Sequence, residues 1–160
     1  MEILLVGGAG SLMEALVGKI KKEGHRIYIL TGSRDPMVRY PSVFEKYCFP
    51  YDSDCIREIC ESVSPDVVVY MGAYDTNFSY GPGRHDAVAY AAGLLNVISA
   101  FSTIGRGKFI YLSSEQVYQV SQSTDIGEME PVTAGDDWSL AVAQGEEVCL
   151  NYHYNKGMDV

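Results

Sequence analysis

The sequence has no apolar run long enough to cross a membrane. Its 160 residues are 47% hydrophobic and 21% charged, and no apolar segment approaches the ~20 residues that a transmembrane helix needs. A basic stretch followed by an apolar segment and a cleavage site is also missing from the N-terminus, so no secretory signal is predicted. These absences predict a cytoplasmic protein with no membrane partner.

Basic charge and paired cysteines are also scarce. The chain has 12 Lys and Arg against 21 Asp and Glu, a net charge of −9 at pH 7. This acidity disfavours a nucleic-acid partner, because phosphate backbones repel an acidic surface. Cys48, Cys55, Cys60 and Cys149 show no C-x-x-C spacing and the three histidines are scattered. Reduced thiols and no metal site are therefore expected.

What the sequence does contain is a regular alternation of short apolar runs and amphipathic stretches. Strands are expected near residues 3–6, 27–30, 47–49, 67–71 and 109–112, and helices over about a dozen residues before Gly24 and near 54–63, 86–101 and 138–154. Strands that alternate with helices imply right-handed crossovers. The predicted fold is one α/β domain, a Rossmann-like, doubly wound parallel sheet in three layers with strand order 3-2-1-4-5.

The first strand runs straight into the glycine-rich turn 7–10 and then into a helix. Glycines permit a tight turn and a close approach of the backbone to a pyrophosphate, and the free N–H groups of the next helix supply partial positive charge. The segment therefore predicts a dinucleotide-binding turn. The residues expected to contact the cofactor there are Gly7, Gly8, Gly10, Ser11, Leu12 and Met13.

Further short motifs stand at the ends of the later strands. They are Asp52, Val69-Tyr70-Met71-Gly72-Ala73, Gly93, Asn96, Ser113-Ser114-Glu115-Gln116-Val117-Tyr118 and Glu146. With the glycine turn, they resemble the extended short-chain dehydrogenases, also called NAD-dependent epimerases/dehydratases, whose members act largely on nucleotide sugars. The resemblance implies an NAD(P) cofactor contacted by Gly72 and Ala73, a catalytic role for Ser114, and a homodimer formed by the two long helices.

Three positions bear on how the cofactor would be held. Thr31 ends the second strand, where an acidic residue would select NAD. Arg34 could bind the 2′-phosphate of NADP, so the two residues favour NADP. Arg34 is equally compatible with a solvated loop. Asp52 could accept a hydrogen bond from the adenine amino group or could simply start the next helix. Met13 takes the place of the third glycine, where it could tilt the helix or push on the pyrophosphate site.

The catalytic pair of the resembled enzymes is missing. Their Tyr-x-x-x-Lys falls on Trp138 and Val142, and neither an indole nor an isopropyl group can accept a proton from a substrate hydroxyl. Tyr152 and Lys156 have the right spacing but come fourteen residues late, near the end of the helix, where a solvated helix terminus is the simpler interpretation. Of the usual catalytic residues only Ser114 remains.

Two functional hypotheses follow for residues 1–160. The first is the NAD(P)-binding domain of a nucleotide-sugar epimerase or dehydratase, inactive as this chain, without the C-terminal substrate region of the family. The alternative is a non-catalytic module that binds NAD(P) or a protein partner. Apolar residues expected to be available for a dimer contact are Val88, Leu95, Ile98, Val148, Leu150 and Tyr154.

Overall fold

A computed structural model describes residues 1–7, 11–31, 43–47, 52–75, 86–118 and 125–160. The strands are β1 (Glu2–Val6), β2 (Arg26–Thr31), β3 (Phe44–Tyr47), β4 (Val67–Tyr70) and β5 (Lys108–Tyr111), and the α-helices are α1 (Ser11–Lys22), α2 (Ser53–Val63), α3 (Ala87–Ser102) and α4 (Asp137–Lys156). Short 3₁₀ turns follow β4 at Gly72–Tyr74 and β5 at Glu115–Tyr118.

The five strands form one parallel sheet in the order β3-β2-β1-β4-β5, which confirms the predicted topology. The third strand, however, lies at 44–47, three residues before its predicted place at 47–49. Glu45 and Lys46 interrupt its apolar pattern, so the sequence carried little signal there. Its position is set by pairing with β2, in which Tyr28 lies opposite Phe44 and Thr31 opposite Tyr47.

Both faces of the central strands are buried, as expected of a parallel sheet. In β1, Leu4 and Val6 point toward the side covered by α2, α3 and α4. Ile3 and Leu5 point to the other side, where α1 packs. Among the described helices, α1 therefore covers one face of the sheet, and α2, α3 and α4 cover the other.

Aspartates start three of the helices. The carboxylates of Asp52, Asp86 and Asp136 accept hydrogen bonds from backbone N–H groups in the first turns of α2, α3 and α4, respectively. Such caps typically stabilise a helix by ~1 kcal/mol. Part of the acidic excess of the sequence is thus used in helix initiation.

Asp66 joins the amino ends of three strands. Its carboxylate accepts a hydrogen bond from the Glu2 N–H at 2.9 Å and is paired with Arg106 at 2.7 Å. Its backbone donates to Glu2 and accepts from Lys108. One residue therefore ties the starts of β1, β4 and β5 together.

We expect Asp66→Asn to lower the thermal midpoint at pH 7. The hydrogen bonds from Glu2 and Arg106 lower the pKa of Asp66 below its ordinary value of 3.8. The charged carboxylate therefore stabilises the folded state at pH values above 3.8, the pKa in the unfolded chain. This contribution is lost as the pH falls through the lower pKa of the folded state. The difference in thermal midpoint between wild type and Asp66→Asn should therefore narrow as the pH falls below 3.8.

Asp54→Asn is the matched control, since Asp54 pairs with Arg57 on the exposed side of α2. It should change the free energy of unfolding by less than about 0.5 kcal/mol. If the difference in thermal midpoint between wild type and Asp66→Asn stayed constant from about pH 7 to about pH 3, the proposed role of the Asp66 charge would be contradicted.

Candidate functional site

The carboxyl ends of the strands form the edge at which the sequence places the site. From β1 the chain crosses to β2 on one side, and it later enters β4 on the other side of β1. Doubly wound sheets bind ligands beyond the carboxyl ends of the strands at such a reversal of strand order. Gly7 follows β1 with φ of 75°, and its N–H donates to the Leu30 carbonyl at 2.9 Å. This left-handed conformation favours glycine. Gly8 and Gly10 lie outside the described residues.

Met13 lies between α1 and the sheet. It is 1% exposed and belongs to the same apolar cluster as Leu5, Val69 and Met71. Its thioether chain therefore fills the space that a third glycine would leave between helix and sheet. Ser11 is exposed and Leu12 half-buried at the start of the same helix.

Thr31 and Asp52 lie at the end of β2 and at the start of α2, respectively. Thr31 is the last residue of β2 and is half-buried; Arg34 lies outside the described residues. Asp52 caps α2, with Oδ1 accepting from the N–H groups of Asp54 at 3.0 Å and Cys55 at 3.1 Å. Of its two predicted roles, the structure shows the helix start, while the adenine contact stays a prediction.

Gly72 and Ala73 follow β4 in the first 3₁₀ turn. Gly72 is buried and Ala73 half-buried. A side chain at Gly72 would collide with the phenol of Tyr70, so this glycine is required by packing. Its contact with a cofactor remains a prediction.

Ser114 lines a pocket of about 500 Å³ beyond the end of β5. Its Oγ accepts a hydrogen bond from the Gln116 N–H at 3.3 Å, which leaves the hydroxyl hydrogen available for donation. The residues that line the pocket are Tyr74, Ser113, Ser114, Glu115, Val117, Tyr118, Ile126, Gly127, Glu128 and Glu146.

Two contacts in this pocket were not foreseen from the sequence. Ser113 Oγ donates to Glu146 Oε1, which joins the end of β5 to α4. Tyr74 donates its phenol to the Ser113 carbonyl at 2.9 Å and so spans the gap between the ends of β4 and β5. The sequence indicates Glu146 only through a motif match, because its distance along the chain from the strands does not show which strand end its side chain contacts.

The two residues at the Tyr-x-x-x-Lys positions lie in the core. Trp138 is 6% exposed and Val142 fully buried, and neither is among the residues that line the Ser114 pocket. The Trp138 ring packs on Tyr90 with centroids 4.9 Å apart, and the Val142 carbonyl accepts a hydrogen bond from the Tyr111 phenol at 2.8 Å. These positions contribute packing and a backbone acceptor.

Two buried tyrosines, Tyr70 and Tyr90, and the half-buried Tyr111 form a hydrogen-bonded phenol chain behind this region. Tyr70 donates to the Tyr90 carbonyl at 3.3 Å. Because Tyr111 donates to Val142, Tyr90 must donate in the hydrogen bond between the two phenols. The Tyr70 and Tyr111 rings are stacked, with centroids 6.1 Å apart. The chain links β4, β5, α3 and α4.

The phenol chain offers no general base. Burial raises the pKa of all three hydroxyls, so they stay protonated at neutral pH. Tyr152 and Lys156, the second pair with catalytic spacing, contact each other at the far end of α4, where the Lys156 ammonium lies 4.0 Å from the Tyr152 ring centroid. They are not brought to Ser114, since Lys156 lines a separate cavity at the amino ends of the strands.

The described cysteines are free thiols, Cys55, Cys60 and Cys149; Cys48 lies outside the described residues. Burial raises the pKa of Cys60 to about 11 and that of Cys149 to about 12, so neither is a thiolate at neutral pH. Within the described ranges, no group of three or more His, Cys, Asp or Glu could hold a metal ion. No helix there is long and apolar enough to span a membrane.

Comparison with known proteins places this architecture in a family. Residues 3–160 match the NAD dependent epimerase/dehydratase family. The chain belongs to this family. Its fold and its glycine turn after β1 agree with that membership, whereas Trp138 and Val142 depart from the catalytic pattern of the resembled enzymes. No curated protein matches the chain in sequence.

Solved structures show the same fold at low identity. A short-chain dehydrogenase/reductase superfamily protein from Agrobacterium tumefaciens with bound NAD is 21% identical over 99% of this chain and 47% of its own, with a TM-score of 0.79. UDP-glucose 4-epimerase from Thermus thermophilus, in complex with NAD, is 17% identical over 99% and 52%, with a TM-score of 0.81. Bordetella bronchiseptica WbmG, in complex with NAD, is 23% identical over 94% and 49%, with a TM-score of 0.76. This chain spans about half the length of these proteins.

We expect Gly145→Ala to destabilise the protein, although alanine is normally the better helix residue. Gly145 lies within α4, where a Cβ would collide with the Tyr111 hydroxyl. Overpacking of this kind costs ~1–3 kcal/mol. Chemical denaturation would measure the loss, and combination with Tyr111→Phe should give a smaller loss than the sum of the two single changes.

Gly18→Ala provides the control, because Gly18 lies within α1 and its Cβ would meet nothing within 4 Å. It should stabilise the protein by ~1 kcal/mol. If Gly145→Ala stabilised the protein to the same extent, the close packing of the phenol chain against α4 would be wrong.

Proposed function

We propose that residues 1–160 bind NAD(P) at the carboxyl edge of the sheet without carrying out epimerase or dehydratase turnover. The left-handed Gly7 turn and the start of α1 at Ser11 fit a pyrophosphate. The family description supplies the class of cofactor, which accepts or donates a hydride when bound. The proposed contacts are Gly7, Gly8, Gly10, Ser11, Leu12, Met13, Thr31, Arg34, Asp52, Gly72 and Ala73.

The observation that carries the absence of turnover is the position of Trp138 and Val142 in the core. A positioned general base contributes roughly 10²- to 10⁴-fold to such reactions, and these side chains can accept no proton. Ser114 can donate a hydrogen bond in its pocket, but Glu146, one of the carboxylates that line the same pocket, already accepts from Ser113. Substitution of Val142 by lysine would bury an ammonium in the core, so it is not expected to restore the pair.

NADP is proposed as the preferred dinucleotide, on the residues at the end of β2. Thr31 offers no carboxylate to the ribose 2′-hydroxyl, and Arg34 could pair with a 2′-phosphate. The solved structures named above contain NAD. A nucleotide sugar would be the substrate class of a whole protein that includes a substrate region.

A partner-binding role has a separate observation in its favour. Val88, Leu95, Leu150 and Tyr154 on α3 and α4 are 80%, 47%, 44% and 76% exposed. Ile98 was expected in the same set, but it is fully buried because its side of α3 faces the sheet. We propose that the exposed residues form a homodimer contact, in a cytoplasmic protein without a nucleic-acid partner.

Calorimetric titration should show one dinucleotide bound per chain, with NADP bound more tightly than NAD, and Arg34→Ala should remove this difference in affinity.

Gly7→Ala should lower the affinity for the dinucleotide at least about tenfold, because the added methyl strains the turn. Gly24→Ala is the matched control: Gly24 has φ of 76° and ends α1 with no atom within 4 Å of an added Cβ. It carries the same backbone strain and should leave affinity unchanged.

Equal loss of affinity in Gly7→Ala and Gly24→Ala would show that binding follows stability alone. Cofactor-dependent turnover of a nucleotide sugar by the unmodified chain, abolished by Ser114→Ala, would contradict the non-catalytic proposal.

Sedimentation equilibrium should find a dimer that Leu95→Asp or Leu150→Asp weakens at least about tenfold, since each puts a charge into an apolar contact. Met129→Asp is the control, because Met129 is 96% exposed and belongs to neither helix. A wild-type chain that stays monomeric at high concentration would rule out the dimer.

A further inference from the structure

A second cavity opens at the opposite edge of the sheet from Ser114. It has a volume of about 750 Å³, inside the range of roughly 300–1,000 Å³ typical of small-molecule sites. Its walls are the starts of β1, β4 and β5, the end of α3 and the segment after α4. The lining residues are Met1, Asp66, Val67, Phe101, Ser102, Gly105, Arg106, Gly107, Lys108, Lys156, Gly157, Met158 and Asp159.

The floor of the cavity is apolar and fixed by the core. Phe101 is 1% exposed and Met158 packs against the same core cluster. Gly107, with φ of 95°, brings the loop before β5 so close to β4 that an added Cβ would lie 2.6 Å from the Asp66 carbonyl oxygen. The other wall is held by the hydrogen bond from the Phe109 N–H to the Asp159 carbonyl at 2.8 Å. The floor is therefore fixed by backbone and core, while the side chains of Arg106, Lys108 and Lys156 also line the cavity.

The residues that line this cavity carry a net positive charge, whereas the whole chain is acidic. Three Lys or Arg and two Asp line it, whereas the chain has 12 Lys and Arg against 21 Asp and Glu. Asp66 pairs with Arg106 at 2.7 Å, and Asp159 pairs with Lys108 at 3.2 Å. Two further cations line the cavity. One is the α-ammonium of Met1, whose charge acts on Asp66. The other is Lys156, which contacts the Tyr152 ring and has no carboxylate partner within ion-pair distance in the described part of the chain.

We propose that this cavity binds an amphipathic monoanion, a small organic acid with an aromatic body and a single carboxylate. The body would pack on Phe101, Val67 and Met158, where burial of apolar surface drives binding. The carboxylate would pair with the Lys156 ammonium.

The test is a pair of probes that share a ring system and differ in charge, 1-naphthoate and 1-naphthylmethylammonium. Each is titrated into the ¹⁵N-labelled 160-residue protein and followed by amide chemical shifts. Naphthoate should produce saturable shifts at Gly105, Gly107 and Gly157, whereas the ammonium probe should bind at least about tenfold more weakly. Saturating NAD should not displace naphthoate, which keeps this result separate from the proposed dinucleotide site.

Lys156→Glu should weaken naphthoate binding at least about tenfold, the size expected when a charge-assisted hydrogen bond is lost. Lys22→Glu changes the net charge equally on the exposed end of α1 and should have no effect. Ser102→Phe, which projects a ring from a lining position, should block both probes. Equal affinity of the two probes, no saturable shifts with naphthoate, or equal losses in the two lysine variants would overturn the proposal.

Discussion

Two buried phenols and a half-buried one must find hydrogen-bond partners between the sheet and two helices, and much of the structure depends on how they do so. A buried hydroxyl without a partner costs roughly 1–3 kcal/mol. Tyr70, Tyr90 and Tyr111 avoid that cost by donating in sequence to a carbonyl, a phenol and the Val142 carbonyl. Gly72 and Gly145 provide the space that the outer two phenols need. Strands β4 and β5 are thereby tied to α3 and α4.

The same arrangement explains what the chemical site retains and what it lacks. The helix positions at which related enzymes carry their catalytic pair hold a tryptophan ring and a valine, both within the core and in contact with the phenol chain. Ser113, Ser114, Tyr74 and Glu146 remain around an open pocket at the strand ends. These groups can donate and accept hydrogen bonds. None of these four residues provides a proton acceptor at the position of the missing tyrosine.

The two edges of the sheet have separate chemistry. At the carboxyl edge, positive φ at Gly7 and the start of α1 suit an extended phosphate-containing ligand. At the amino edge, Asp66 and Asp159 pair with Arg106 and Lys108, and Lys156 and the Met1 α-ammonium lie at a partly apolar cavity. The two sites lie at opposite ends of the same parallel strands.

Local pattern in the sequence determined the strands and helices, the turn at Gly7 and the helix start at Asp52, because each depends on residues adjacent along the chain. The parallel order of the sheet followed from the alternation of strands with helices and from the rules of crossover connections. It misplaced β3, whose position comes from pairing with β2, and it offered Ile98 as a surface residue although that side of α3 packs on the sheet. Only the tertiary structure decided that Trp138 and Val142 face the core, that Tyr74 reaches Ser113 across 39 residues, and that Glu146 meets the end of β5. The physical reason is that these contacts join side chains distant in the sequence, and their partners are fixed only when strands and helices pack together.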